Sequence, residues 1–217
     1  MNKKIIPNII TIINIICGLC AIISAVHIHF ISCIFVLISC FLDFIDGFLA
    51  RKLNAQSKIG AQLDSLADII SFGVAPTIII YYFLLNINTN YAICFISFTI
   101  TIAAAIRLAR FNSEKRKYFV GLPTPAAAIF ICSISLIDVK DIHITKYYTL
   151  ASIIIISYLM ISKIEMFKIE KNTLSKVFLI ISLIIIIFYK IQGLSIAVFL
   201  YIAMSIIKNK YGISSKN

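Results

Sequence analysis

Residues 41–72 read FLDFIDGFLARKLNAQSKIGAQLDSLADIISF. Two apolar stretches flank a short basic connection, and each carries acids at helical spacing. In the first, Asp43, Asp46, Gly47 and Ala50 stand at i, i+3, i+4 and i+7, one stripe of a helix. In the second, Gly60, Asp64 and Asp68 stand at i, i+4 and i+8, again one stripe. The segment predicts two adjacent antiparallel helices whose acidic faces oppose each other. At about 1.5 Å per residue, Asp43 lies about 12 Å along from Arg51 and Asp68 about 12 Å along from Gly60, so these two match in depth. Asp46 and Asp64 match in the same way nearer the loop, and the four carboxylates are expected to converge.

The surroundings of this segment place it in a membrane. Of the 217 residues, 61% are hydrophobic and 13% charged, and there is no Trp; the mean hydropathy is +1.02. A soluble domain is about 45–50% apolar and about 25% charged, so this composition excludes a soluble globular enzyme. Stretches such as 5–26, 91–106 and 173–189 contain no charged residue except Lys176, and about 20 apolar residues suffice to span a bilayer. Hydropathy and polar breaks predict spans at 7–26, 29–51, 60–85, 91–110, 122–138, 146–162, 174–189 and 193–208. All should be helical, because an open strand in lipid leaves backbone groups unpaired. The expected fold is an all-α integral membrane protein of about eight transmembrane helices, a six-helix core plus two C-terminal spans, forming one polytopic domain over 1–217. The first apolar stretch lacks a small-residue cleavage site and runs on into the next span, so a span is expected there and not a secretory leader.

Charge sets the expected orientation. The net charge is +11, from 20 Lys and Arg against 9 Asp and Glu. Alternate loops divide the basic residues. Lys3, Lys4, Arg51, Lys52, Lys58, Arg107, Arg110, Lys115, Arg116, Lys117, Lys163, Lys168, Lys171, Lys176, Lys208, Lys210 and Lys216 fall on one side, and only Lys140, Lys146 and Lys190 on the other. By the positive-inside rule the rich side, with both termini, faces the cytoplasm. A nucleic acid partner is not expected, since no polar domain is present to hold a duplex. Cys17, Cys20, Cys33, Cys40, Cys94 and Cys132 all fall in predicted spans, where a thiol behaves as a small apolar group. The CGLC at 17–20 therefore does not read as a redox pair.

The acids carry the chemistry. Charged side chains are costly in an apolar region, and four clustered carboxylates need a cation. An all-oxygen ligand set favours a hard divalent ion, Mg²⁺ or Mn²⁺, over zinc. A hard cation with open positions suits a phosphate-bearing substrate. Gly47, Ala50 and Gly60, on the faces of the acids, leave room for a ligand to reach the helix backbone, though small residues also serve close helix packing. Arg51, at the rim, can touch a phosphate or brace a carboxylate, or act only as a topology charge. Acids within spans also mark cation transporters, but those scatter their acids over several helices with broken spans near the midplane.

Asp43, Asp46, Gly47, Ala50 and Arg51 spell DxxDGxxAR; after eight intervening residues Gly60, Asp64 and Asp68 spell GxxxDxxxD. This resembles, at all eight fixed positions, the signature of the integral-membrane CDP-alcohol phosphotransferases. The resemblance implies attack by an alcohol hydroxyl on the lipid-side phosphorus of a CDP-linked lipid, with release of CMP. It implies that Asp43, Asp46 and Asp64 bind metal. It gives Asp68 the role of general base and ligand of a second metal. It also implies that Gly47 and Arg51 contact the CDP part, with Ala50 and Gly60 beside them and Ser57 at a further contact position. Asn8 and Thr11, in the PNIIT at 7–11, match a polar pair the family uses near the nucleotide, and equally suit helix capping. A homodimer in the cytoplasmic membrane, with the active site facing the cytoplasm, is also implied.

The family uses several acceptors, among them serine, glycerol 3-phosphate, inositol phosphate and choline. Three stretches, SFGVAP at 71–76, RLARFN at 107–112 and FVGLPTPAAA at 119–128, are similar to those of the membrane-embedded phosphatidylserine synthases of bacteria and archaea. That likeness implies CDP-diacylglycerol and L-serine as substrates. Serine brings a carboxylate, which suits a guanidinium, and Arg107 and Arg110 stand at i, i+3 on one face. They also suit a glycerol phosphate or an anchor at the span end. Asn112 is a further candidate there. Pro76, Pro123 and Pro125 are expected to shape helix ends.

Overall fold

The computed structural model describes residues 5–27, 29–87, 89–113, 120–139, 141–166, 173–189 and 192–210. Lys3, Lys4, Lys115, Arg116, Lys117, Lys140, Lys168, Lys171, Lys190 and Lys216 of the topology argument lie outside them, as does Phe119 of the FVGLPTPAAA stretch.

The chain is helical throughout the described residues, with one isolated bridge between Val120 and Glu165 as its β feature. The helices are α1 (Ile5–Ser24), α2 (His29–Lys52), α3 (Lys58–Asp68), α4 (Ala75–Asn86), α5 (Tyr91–Cys94), α6 (Phe98–Ser113), α7 (Thr124–Ile134), α8 (Ile142–Ile161), α9 (Thr173–Tyr189) and α10 (Gln192–Lys210). A π turn, Ile69–Val74, joins α3 to α4, and a 3₁₀ turn, Phe95–Ser97, joins α5 to α6. Among the described residues, five helical runs are long and apolar enough to cross a membrane: Ile5–Ser24, His29–Lys52, Lys58–Asn86, Tyr91–Ser113 and Ile142–Ile161. Thr124–Ile134, Val177–Tyr189 and Gln192–Ile207 are apolar but shorter. Large apolar side chains such as Ile23, Phe41, Phe44, Ile102 and Tyr158 are exposed around the bundle. In water such a surface would drive aggregation; in lipid it is the ordinary outer face.

Two departures from the sequence expectations have physical causes. The span expected at 122–138 is helical only over the 11 residues Thr124–Ile134. Before it, Gly121 and Leu122 donate their backbone N–H groups to the carbonyls of Ile164 and Leu159, at 2.9 and 3.0 Å, so this apolar stretch is tied to the end of α8. Gly121 has φ of 77°, and an added Cβ would clash with the Met160 carbonyl oxygen. Pro123 and Pro125 shape the start of α7 as expected, whereas Pro76 lies inside a continuous helical run. Its ring nitrogen cannot donate to the carbonyl four residues back, and the backbone immediately before it is widened, with the Ala75 N–H reaching the Ile70 carbonyl.

The core has two parts. One gathers Ala21, Val36, Phe72, Ile79 and Ala128 between α1, α2, α4 and α7. The other gathers Leu84, Ile100, Ile131, Ile153, Met160 and Ile202 between α4, α6, α7, α8 and α10. The π turn is held between α1 and α6. On the α1 side, Ser71 donates to Asn14 at 2.9 Å, and Gly18 admits the close approach. On the α6 side, Gly73 faces Ala104.

A Cβ at Gly18 would stand 2.5 Å from Ser71 Oγ and 3.1 Å from Ser71 Cα. Gly18→Ala gains about 1 kcal/mol of helix propensity but overpacks a site where overpacking costs about 1–3 kcal/mol. We expect a net loss of about 1 kcal/mol, read as a lower thermal midpoint in detergent, whereas Leu19→Ala on the exposed face leaves the midpoint nearly unchanged.

Candidate active site

The turn between α2 and α3 fixes how the acids meet. Asn54 adopts φ of 51° just past α2. The Asn54 N–H bonds to the Arg51 carbonyl at 3.2 Å and the Ala55 N–H to the Ala50 carbonyl at 2.9 Å. This is the paired closure of a Schellman motif, with asparagine accepting the left-handed position that glycine usually fills. Three residues on, the Ser57 hydroxyl accepts from the Gly60 N–H at 3.0 Å and caps α3. Chain reversal is thus complete within residues 53–57, and the acidic stripes are set side by side.

Asp43, Asp64 and Asp68 each offer a carboxylate oxygen, and these oxygens lie within 4.8 Å of one another. Asp43 and Asp64 are within hydrogen-bonding distance. The expected pairing of Asp43 with Asp68 is therefore joined by Asp64. Asp46, 3% exposed, stands beside this trio and accepts a 2.7 Å hydrogen bond from Thr11 on α1. The buried Oδ1 atoms of Asp64 and Asp68 have no hydrogen-bond partner. Orphaned carboxylate oxygens in an apolar bundle demand a cation. Oxygen donors bound at about 2.0–2.6 Å around one ion fall at the mutual separations found here, so the residues fit a hard divalent metal.

Next to the acids opens a cleft lined by Asn8 and Thr11 of α1, Asp46, Gly47, Ala50 and Arg51 of α2, and Ser57, Gly60 and Asp64 at the start of α3. The structure thus brings nine of the residues singled out in the sequence to one wall. Arg51 folds back over Gly47, where a Cβ would meet its guanidinium at 3.4 Å, and a Cβ at Gly60 would meet Asn8 Oδ1 and Ser57 Oγ, both at 3.0 Å. These glycines keep the cleft open.

The second group of candidates is separated. Arg107 is buried, 9% exposed, and its charge acts on Asp68. Arg110 is exposed and donates to the Ile161 carbonyl at 2.9 Å, capping the end of α8. Asn112 bonds to Ser65, beside Asp64, at 3.1 Å. Two residues escaped sequence reasoning. Asn14, fully buried, holds the π turn directly after Asp68; its signal was the three-residue spacing Asn8, Thr11, Asn14 in an otherwise apolar helix. Tyr201 of α10 lines one pocket with Asp43, and nothing local in its apolar helix announces that.

Comparison with known proteins bears on this site. The chain matches the CDP-alcohol phosphatidyltransferase family over residues 4–207. It is 35% identical over 213 residues to the CDP-diacylglycerol--serine O-phosphatidyltransferase of Helicobacter pylori (strain ATCC 700392 / 26695), covering 93% of this chain and 90% of that one. It is 40% identical over 167 residues to the protein of the same name from Bacillus subtilis (strain 168), covering 74% and 88%. For the one from Methanocaldococcus jannaschii the identity is 37% over 163 residues, covering 74% and 72%.

The Thr11 hydroxyl orients Asp46, and removing such an outer partner costs about 10–100-fold in metal affinity. Thr11→Val should raise by at least about tenfold the Mn²⁺ concentration that half-maximally stabilises the purified protein in a thermal-shift titration.

Proposed function

The chain belongs to the CDP-alcohol phosphatidyltransferase family, and from that premise we propose that it transfers the phosphatidyl group of CDP-diacylglycerol to the hydroxyl of L-serine, giving phosphatidylserine and CMP. The observation that carries this is the acid trio gathered within 4.8 Å at the edge of a cleft lined by the signature residues. The names and coverage of the relatives support serine as acceptor.

In this reading Asp43, Asp46, Asp64 and Asp68 hold Mg²⁺ or Mn²⁺, two ions per site. The bound metal supplies charge neutralisation at the diphosphate and polarises the phosphorus. Asn8, Thr11, Gly47, Ala50, Arg51, Ser57 and Gly60 hold the CDP part. The open backbone at Gly47 and Gly60 admits it, and Arg51 supplies a guanidinium to its phosphate. Asp68 takes the proton of the serine hydroxyl as the new phosphorus–oxygen bond forms and the bond to CMP breaks. Arg107, charged and buried next to Asp68, receives the serine carboxylate. Arg110, tied to the Ile161 carbonyl, acts as an anchor for the end of α6. Asn112 acts through Ser65 on the α3 backbone. Positioning and electrostatics supply the rate enhancement.

The five long helical runs and three shorter ones support eight spans, with both termini and the acid cluster at the cytoplasmic face of the cell membrane, as the basic residues indicate. The family resemblance supports a homodimer.

Purified protein given CDP-diacylglycerol and Mg²⁺ or Mn²⁺ should release CMP on addition of serine, and chelation should abolish the release. Release with glycerol 3-phosphate, inositol phosphate or choline but not with serine would overturn the substrate assignment. Asp68→Asn should lower turnover by about 10²–10⁴-fold while nucleotide binding largely survives; unchanged turnover refutes its role as base.

A further inference from the structure

Helix α1 carries polar residues at three-residue spacing, Asn8, Thr11 and Asn14, and each meets the acid-bearing segment at a different depth. Asn8 Oδ1 lies against Gly60 in the cleft. Thr11 donates to Asp46 at 2.7 Å. Asn14, one turn deeper, meets two hydroxyls. The Ser71 hydroxyl is shared between its side-chain oxygen, at 2.9 Å, and its backbone carbonyl, at 3.1 Å. Ser39 donates to the same carbonyl at 3.4 Å. Asn14, Ser39 and Ser71 are each 0% exposed. Ser39 stands four residues before Asp43 and Ser71 three residues after Asp68, about one helical turn in each case. The three side chains therefore form a polar floor one turn beneath the acids.

Packing does not account for this floor. Asn14 Nδ2 is buried without a hydrogen-bond partner among the described residues. A buried amide left half satisfied carries a desolvation cost that an aliphatic side chain in the same space would not. The acids show what the amide serves. Asp46 is aimed by its bond from Thr11, whereas the buried Oδ1 of Asp68 has no hydrogen-bond partner among the described residues. The direction of that carboxylate rests on the backbone that carries it, and this backbone runs at once into the π turn Ile69–Val74. Such a turn departs from the ordinary α-helical ladder, so its setting depends on what it packs against. On the α6 side that is Ala104 against Gly73; on the α1 side it is Gly18 and the Asn14–Ser71 bonds. Of these contacts the hydrogen bonds are the directional ones.

We propose that Asn14 is a positioning residue: through Ser71 it fixes the start of the π turn and with it the aim of Asp68 into the acid trio. This rests on the reading that Asp68 acts in the reaction. The third polar residue of α1 then serves the chemistry as Thr11 does, from beneath the acids and not from beside them.

Replacing both partners of a buried hydrogen bond by apolar groups of matching shape can be nearly neutral for stability. The test is therefore the double variant Asn14→Leu/Ser71→Ala in the full-length protein, where the bulkier leucine takes the space of the deleted hydroxyl. Its kcat for CMP release, with the alcohol that the wild type uses, should fall about 10–100-fold. The KM for CDP-diacylglycerol, the KM for that alcohol and the thermal midpoint in detergent with chelator should each change little. Ser71→Ala alone should lower kcat as far, because it removes the same tie. Ser133→Ala, which deletes a buried α7 hydroxyl bonded within its own helix, should leave kcat unchanged. A kcat near wild type in the double variant or in Ser71→Ala overturns the proposal. So does a lost kcat joined to a fallen thermal midpoint in the double variant, and so does its failure to fold, since each assigns Asn14 to packing. If Asp68→Asn itself leaves turnover unchanged, the reading of Asp68 as base fails separately. The Mn²⁺ concentration that half-maximally stabilises the protein then decides: a rise of about tenfold in the double variant upholds the positioning of Asp68, and no change overturns it.

Discussion

Three carboxylates held within 4.8 Å of one another in an apolar bundle are the constraint from which the rest follows. Left alone they repel one another and lose their hydration, a combination that a helical bundle in lipid does not tolerate without a cation. Everything nearby serves to hold them in place. The Schellman closure at Asn54 and the Ser57 cap fix the reversal between their two helices. Thr11 fastens Asp46 from a third helix, and Asn14 accepts from the Ser71 hydroxyl three residues past Asp68. A cation taken up by these acids would stabilise the folded protein by mass action, which would tie the integrity of this region to its occupancy.

The site has two faces that differ in chemistry. One pocket is lined by amide, hydroxyl, carboxylate and guanidinium side chains beside glycine and alanine; the other is mostly apolar and bounded in part by the C-terminal helices. Asp43 and Asp46, three residues apart on one helix, border the two sides. In the proposed reaction, a substrate that is half nucleotide and half lipid would meet in this arrangement surroundings suited to each part.

Much of this was legible in the sequence because helices in lipid obey few rules. The length of apolar stretches placed α1, α2, α8 and the run from α5 through α6 within a few residues, and the three- and four-residue spacing of the acids brought them to one locus. What stayed hidden depended on backbone detail or distant contact. Counting apolar residues could not tell that 120–123 would bond to the end of α8 and shorten α7. A stripe gives a face but not a rotamer, so the separate position of Asp46, held by Thr11, was not foreseen. Arg107 and Arg110 share a face by spacing, yet one is buried beside Asp68 and the other reaches a carbonyl on α8. Tyr201 lies more than 150 residues from Asp43 in an apolar helix, and only folding brings both to the lining of one pocket.

The π turn at Ile69–Val74 works as a phase shifter. One additional residue accommodated within a turn rotates everything beyond it by about 100° about the helix axis. Residues 58–68 thereby turn their acids toward α2, while residues 75–86 of the same continuous rod present Ile79, Ile80 and Leu84 to the hydrophobic core. A regular α-helix through this segment would have one angular setting for both tasks. Either the carboxylates or the large aliphatic side chains would then face the wrong way, whereas deleting a single residue between 69 and 74 would let the turn close as α-helix and keep both faces in register, because the widened turn absorbs that one residue.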